Sequence, residues 1–188
     1  MQKANQSKHS QDKINTEAGE ISCLNSKMKT LLFAYGNYDR QDDGVSWHII
    51  RKVARDLNID LPFLPSDLTG ELTDSLIWHF DLQLTPNDAE YISEFDRVIF
   101  LDAHTGAVPE EVSWIKVHPE FQTSPMTHHF TPQSCISLVQ VLYHREPEAI
   151  LITVRGYEFE FSQLLSRQCE ENAEIAAQKV IEFLRQNP

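Results

Sequence analysis

Two acidic positions and one histidine pair stand out in this chain of 188 residues. Asp42-Asp43 lies in the stretch Gly36 to Gly44, Asp102 follows the apolar run Val98-Ile99-Phe100-Leu101, and His128-His129 precedes Thr131-Pro132. Two carboxylates and an imidazole make a mixed oxygen and nitrogen set suited to a divalent first-row metal ion, with coordination positions left open. Asp102 carries the strongest signal. An acid at the end of an apolar strand must reach a cleft, a partner or a ligand, because burying its charge unpaired is costly. Asp42 or Asp43 could instead cap the helix that begins at Gly44, a common task for Asp, and capping fits Asp42 better than Asp43. Adjacent side chains diverge, so only one of His128 and His129 is expected to act as a ligand.

Other chemistries lack their parts. Cys135 falls on the apolar stripe of a helix, where a buried, inert thiol is the common state. Neither a G-x-S-x-G elbow nor an H-E-x-x-H pair occurs, so the serine-hydrolase and zincin scaffolds are missing. His48, His79, His104, His118 and His144 are scattered singles, read as structural or solvated; His104, two residues past Asp102, is the most open of these.

The elements that must position these groups follow from apolar periodicity. Thr30 to Tyr35 is apolar almost throughout, the mark of a parallel strand covered on both faces. Ile49, Ile50, Val53 and Leu57 give the helix from Ser46 to Leu57 one apolar face. The stretch Leu57 to Thr73 reads as a loop or edge excursion. Ser75 to Phe80 is a second strand, and Thr85-Pro86 with Asp88 predicts a capped helix running to about Phe95. Further strands are expected at 97–101, 112–117 and 150–154. Thr131-Pro132 repeats the capping device before a helix with Cys135, Leu138, Val139 and Leu142 inward. Glu170-Glu171 opens the last helix, with Ala176, Val180, Phe183 and Leu184 facing the core. This alternation predicts an α/β fold, a three-layer α/β/α sandwich around a mostly parallel sheet of about five strands. The first strand-to-helix turn lacks the G-x-G-x-x-G glycines of a dinucleotide site, and no P-loop is present.

Composition narrows the class. Hydrophobic residues at 41% suffice for one buried core. A formal charge of −12 opposes the phosphate backbone, so no nucleic-acid partner is expected. No apolar run approaches the roughly 20 residues of a membrane span, so no membrane association is expected. Residues 1–27 are polar, lack an export signal and are expected to be a disordered tail, leaving residues 28–188 as one domain. Three cysteines without close spacing fit a reducing, cytoplasmic setting.

The ordered motifs also resemble a known family. Gly36-Asn37-Tyr38-Asp39-Arg40-Gln41-Asp42-Asp43-Gly44-Val45-Ser46-Trp47 resembles the G-N-P-x-R-x-D-D-G-V-G-W opening of the hydrogenase maturation proteases, which trim nickel-iron hydrogenase large subunits. Gln83-Leu84-Thr85-Pro86 and Asp96 to Ala103 are similar to the family's second-helix entry and its strand ending in Asp-Ala. Ser124 to Pro132 is similar to the T-H-H-hydrophobic-[ST]-P stretch of one branch, and Ile152 to Gly156 with Leu165-Ser166 to its closing strand and final-helix entry. The resemblance spans residues 29 to 184 in order. Tyr38 stands for a common proline, Gln41 for a common glycine and Ser46 for a glycine in the first helical turn.

The resemblance implies a metal site made by Asp43, Asp102 and His128, with His129 as the alternative to His128. These same residues would be catalytic. It implies an endopeptidase that removes the C-terminal extension of a hydrogenase large-subunit precursor, a hydrolase whose partner is that protein substrate. Nickel would be presented by the substrate and read as proof of complete assembly, not held permanently. A monomer is expected. The alternative is a metal-sensing chaperone or assembly factor that binds the same precursor without cutting it.

Overall fold

The computed structural model describes residues 27–106, 108–120 and 130–188. Apart from Lys27, the expected tail lies outside them. Among the described residues, six strands form one sheet in the order β2-β3-β1-β4-β6-β5. They are β1 (Thr30–Tyr35), β2 (Thr69–Thr73), β3 (Leu76–Asp81), β4 (Arg97–His104), β5 (Val112–Lys116) and β6 (Glu148–Arg155). The four inner strands are parallel, and β2 and β5 pair antiparallel on the two edges.

Alternation along the strands divides the core in two. Leu32, Ala34, Ile99 and Leu101 face helices α1 (Val45–Asp56) and α4 (Arg167–Gln186), whereas Leu31, Phe33, Val98 and Phe100 face α2 (Asp88–Ile92) and α3 (Pro132–Tyr143). Each layer therefore buries one parity of the same strands, which is why those strands read as continuous apolar runs. The α/β/α sandwich expected from the sequence is the fold observed.

Several details differ from expectation. The sheet has six strands, because Thr69–Thr73 within the presumed excursion pairs with β3 as an exposed edge. The helix expected from Thr85 to about Phe95 shrinks to α2. Its acid works in the opposite direction to a threonine cap: the Asp88 carboxylate accepts from the Thr85 backbone N–H at 2.6 Å and from the Thr85 hydroxyl at 2.9 Å. In α3, Thr131 caps as expected, accepting from the Ser134 N–H. However, Leu142 is exposed along with Val141, and the apolar stripe ends a turn earlier at Val139. Helix α4 opens at Arg167, three residues before Glu170, because Ser166 caps it by accepting from the Cys169 N–H.

That cap leads to the central staple of the fold. Asp42, in a 3-10 turn at Gln41–Gly44, is fully buried and does not cap α1. Its Oδ1 accepts from the Ser166 N–H at 2.7 Å, and its Oδ2 accepts from the Ser166 hydroxyl at 2.6 Å and from the N–H groups of Tyr157 and Glu158 at 2.8 and 3.0 Å. One carboxylate thus joins the segment after β1, the segment after β6 and the start of α4. Gly156 permits this: a Cβ there would lie 3.0 Å from the Asp42 Cβ and 2.7 Å from the Phe159 ring.

Removing the carboxylate strands four donors, three of them backbone N–H groups, and a buried unsatisfied donor costs roughly 1–3 kcal/mol. Asp42→Ala is expected to lower stability by about 3 kcal/mol or more, read as a drop in the urea midpoint. A midpoint within 0.5 M of the parent (~1 kcal/mol at a typical slope) would show that the staple is energetically idle.

Candidate active site

In open α/β sheets, ligand sites form beyond the carboxyl ends of the strands, where successive connections depart to opposite faces. Here β1 leads to α1 on one face, and β4 leads by way of β5 to α3 on the other. The crevice between the ends of β1 and β4 opens into a cleft of about 600 Å³ that contains both Asp43 and Asp102. Leu82, Leu84, Pro86, Phe130 and Leu151 supply much of its wall.

Asp102 is placed by strand parity. It shares a face with Phe100, follows Leu101, whose register partner in β1 is Ala34, and so stands beside Tyr35. Its Oδ1 accepts from the Ala103 N–H at 2.7 Å, and the Tyr35 hydroxyl donates to the same carboxyl group. Burial pushes its pKa up to about 7 against the lowering pull of those two donors, and the charge of Asp43 adds to the rise. The Tyr35 hydroxyl is itself raised well above its ordinary value, first by burial and then by Asp102.

Asp43 is placed by the turn instead of a strand. Its Oδ2 accepts from the Asn37 N–H at 2.9 Å, which closes the 37–43 loop on itself. Gly36, at φ +139°, lets that loop pass: a Cβ there would sit 2.1 Å from the Asp43 carbonyl oxygen. The positions where the chain departs from the family pattern are absorbed locally. Gln41 takes the left-handed φ of +55° that favours glycine, and it is held by donating from Nε2 to Glu158 at 2.7 Å and accepting from the Glu160 N–H at 3.2 Å. Tyr38 donates from its hydroxyl to the Phe63 carbonyl, which also accepts from the Trp47 indole. The Ser46 hydroxyl donates to the Tyr35 carbonyl at 2.8 Å.

Of the sequence-derived site residues, Asp43 and Asp102 come together in the cleft, while His128 and His129 lie outside the described residues. Asp42 is the staple described above. Among the described residues, no three His, Cys, Asp or Glu side chains converge on one metal position. Positive charge arriving between the two acids would relieve the Asp102 carboxyl, which is raised first by burial and further by Asp43. Tyr35 is the neighbour of Asp102 that sequence reasoning missed. Its signal, an aromatic hydroxyl ending an apolar strand, is indistinguishable in sequence from ordinary core.

The remaining candidates fall away on geometry. Cys135 is fully buried and its thiol is pushed up to about 12 by that burial, so it supplies no nucleophile. The His104 Nδ1 accepts from the Gly106 N–H, and its ring is absent from the cleft wall.

The sign of the Asp102 shift sets a pH dependence. A carboxyl whose folded pKa lies above its unfolded value contributes stability below about pH 4 that is lost as pH rises through about 7. In metal-free buffer, the parent is expected to lose more stability between pH 4 and pH 8 than Asp102→Asn does, by urea unfolding at each pH. Parallel pH profiles for the two proteins would contradict the raised value.

No protein-family model matches the chain, and no curated protein matches its sequence. Solved structures do. A [NiFe] hydrogenase maturation protease, HycI from Thermococcus kodakarensis KOD1, superposes with a TM-score of 0.57 at 19% identity over 85% of this chain and 94% of that one. The hydrogenase maturating endopeptidase HybD from E. coli gives 0.59 at 16% identity over 85% and 93%. A hydrogenase 2 maturation peptidase from Thaumarchaeota archaeon SCGC_AB-539-E09 gives 0.54 at 20% identity over 83% and 97%. At such identities the likeness is one of fold, and the fold is that of the hydrogenase maturation proteases.

Proposed function

We propose that this protein is an endopeptidase of hydrogenase maturation that removes the C-terminal extension of a nickel-loaded large-subunit precursor. The observation that carries the reading is the pairing of Asp43 with Asp102 in one cleft, at the strand ends of a fold shared with maturation endopeptidases. The two carboxylates, with His128 as third donor and His129 as its alternative, would engage nickel carried by the precursor. An incomplete oxygen and nitrogen set holds such an ion less tightly than a closed site of four protein ligands, so the metal stays with its owner while its presence is read. With Asp43, Asp102 and His128 or His129 holding it beside the scissile bond, the substrate's ion would supply Lewis-acid polarisation of the peptide carbonyl or of an attacking water. The chain's own part is to orient: Ala103 N–H and the Tyr35 hydroxyl fix the Asp102 carboxyl, and Asn37 N–H fixes that of Asp43.

The test mixes purified protein with nickel-loaded and with nickel-free unprocessed large subunit and follows the extension by mass spectrometry. Release from the loaded form alone is expected. Binding without release from either form would favour an assembly factor that does not cut. Asp102→Ala is expected to abolish release while circular dichroism stays unchanged, and a folded variant that still processes would remove Asp102 from the mechanism. Of His128→Ala and His129→Ala, one is expected to lose activity by a hundredfold or more, consistent with loss of a metal-directed donor. Equal tolerance of both would remove the histidine from the site.

A further inference from the structure

The segment that Asp42 fastens carries the most exposed large apolar side chain among the described residues. Phe161 is 85% exposed and Leu164 is 66% exposed, both in the connection from β6 to α4. Because β6 runs parallel to β1 and β4, this connection leaves the sheet at the same end as the cleft. It is also rigidly held. Besides the Asp42 bonds, the Gln41 N–H donates to the Ser162 carbonyl at 2.7 Å, the Gln163 amide donates to Asp39 at 2.8 Å, and the Leu164 N–H donates to the Ser162 hydroxyl. Apart from the Leu164 bond, which is internal to the connection, the partner is the 39–43 loop, whose last residue is Asp43. One pair of loops therefore presents both a reacting carboxylate and an ordered apolar prominence.

Charge adds a second observation. In a chain of formal charge −12, the Arg40 guanidinium makes no ion pair among the described residues and lies over the Phe161 ring, 5.3 Å from its centroid. Asp39, Phe161, Ser162 and Gln163 line an adjoining recess of about 400 Å³. An exposed aromatic ring already covered by a cation and carried between hydrogen-bonded neighbours loses little further freedom on association, a property of interface anchors.

We infer that Phe161, Leu164 and Arg40 form a docking patch for the folded body of the large-subunit precursor, receiving an apolar side chain beside a carboxylate. The inference rests on the function proposed above and deepens it: the patch holds the body of the substrate while its extension enters the neighbouring cleft.

Binding separates the two ideas. Affinity for nickel-loaded precursor is measured in an Asp102→Asn background, which keeps the precursor intact, with and without Phe161→Ser and Leu164→Ser together, and separately with Arg40→Gln. A control carries Val141→Ser and Leu142→Ser, residues 57% and 58% exposed near the C-terminal end of α3, at the other end of the sheet. The Phe161 and Leu164 pair is expected to weaken binding at least tenfold and Arg40→Gln about threefold, with unchanged melting temperatures and an unaffected control. Equal affinities for parent and patch variants, equal losses in patch and control, or no precursor binding at all would overturn the patch. Patch-dependent binding without cleavage by the parent protein would overturn only the peptidase reading.

Discussion

A single buried carboxylate organises the working end of this protein. Charged side chains are rarely taken fully out of water, because an ionised oxygen stripped of its hydration is expensive unless every lone pair finds a donor. Asp42 meets that condition with three backbone N–H groups and one hydroxyl, all drawn from the connection between β6 and α4, more than a hundred residues downstream. The arrangement works in both directions. The donors make the charge tolerable, and the charge selects one mutual position for the loop after β1 and the loop before α4. Asp43, one residue further along, inherits its position from that constraint.

The end of the sheet that holds the cleft shows how acids acquire different tasks from their surroundings. Asp42 is surrounded by donors and is structural. Asp102 sits in a strongly desolvated setting that pushes its carboxyl up to about 7 against the pull of two donors, with another acid nearby adding to the rise. Neither role is legible from residue type alone, because each depends on groups that only the folded chain brings close.

What the sequence disclosed follows the same division. Strands buried on both faces announce themselves by composition, so β1, β3, β4 and β6 were legible, as was the Thr131 cap, which acts over three residues. The edge strand β2 was not, because Thr69–Thr73 is largely exposed and has no apolar pattern. Thr85-Pro86-Asn87-Asp88 offered two local hydrogen-bond schemes, and the acid won over the hydroxyl. Asp102 stood out because an acid at the end of an apolar strand is locally anomalous, whereas Asp43 was singled out from Asp42 by the family resemblance. The capping alternative for Asp42 failed because its donors lie more than a hundred residues downstream, beyond any local pattern.

The two described cysteines, both sealed inside the core, bear on how a protein handles a metal that is not its own. Thiolate is the softest ligand a chain can offer and competes strongly for late first-row ions, but only the deprotonated, accessible form competes. Burial raises both Cys135 and Cys169 far above neutrality, leaving them as protonated packing atoms. In the proposed role, the described part of the chain can inspect nickel with hard and borderline donors while having no accessible thiolate with which to strip the cargo it inspects.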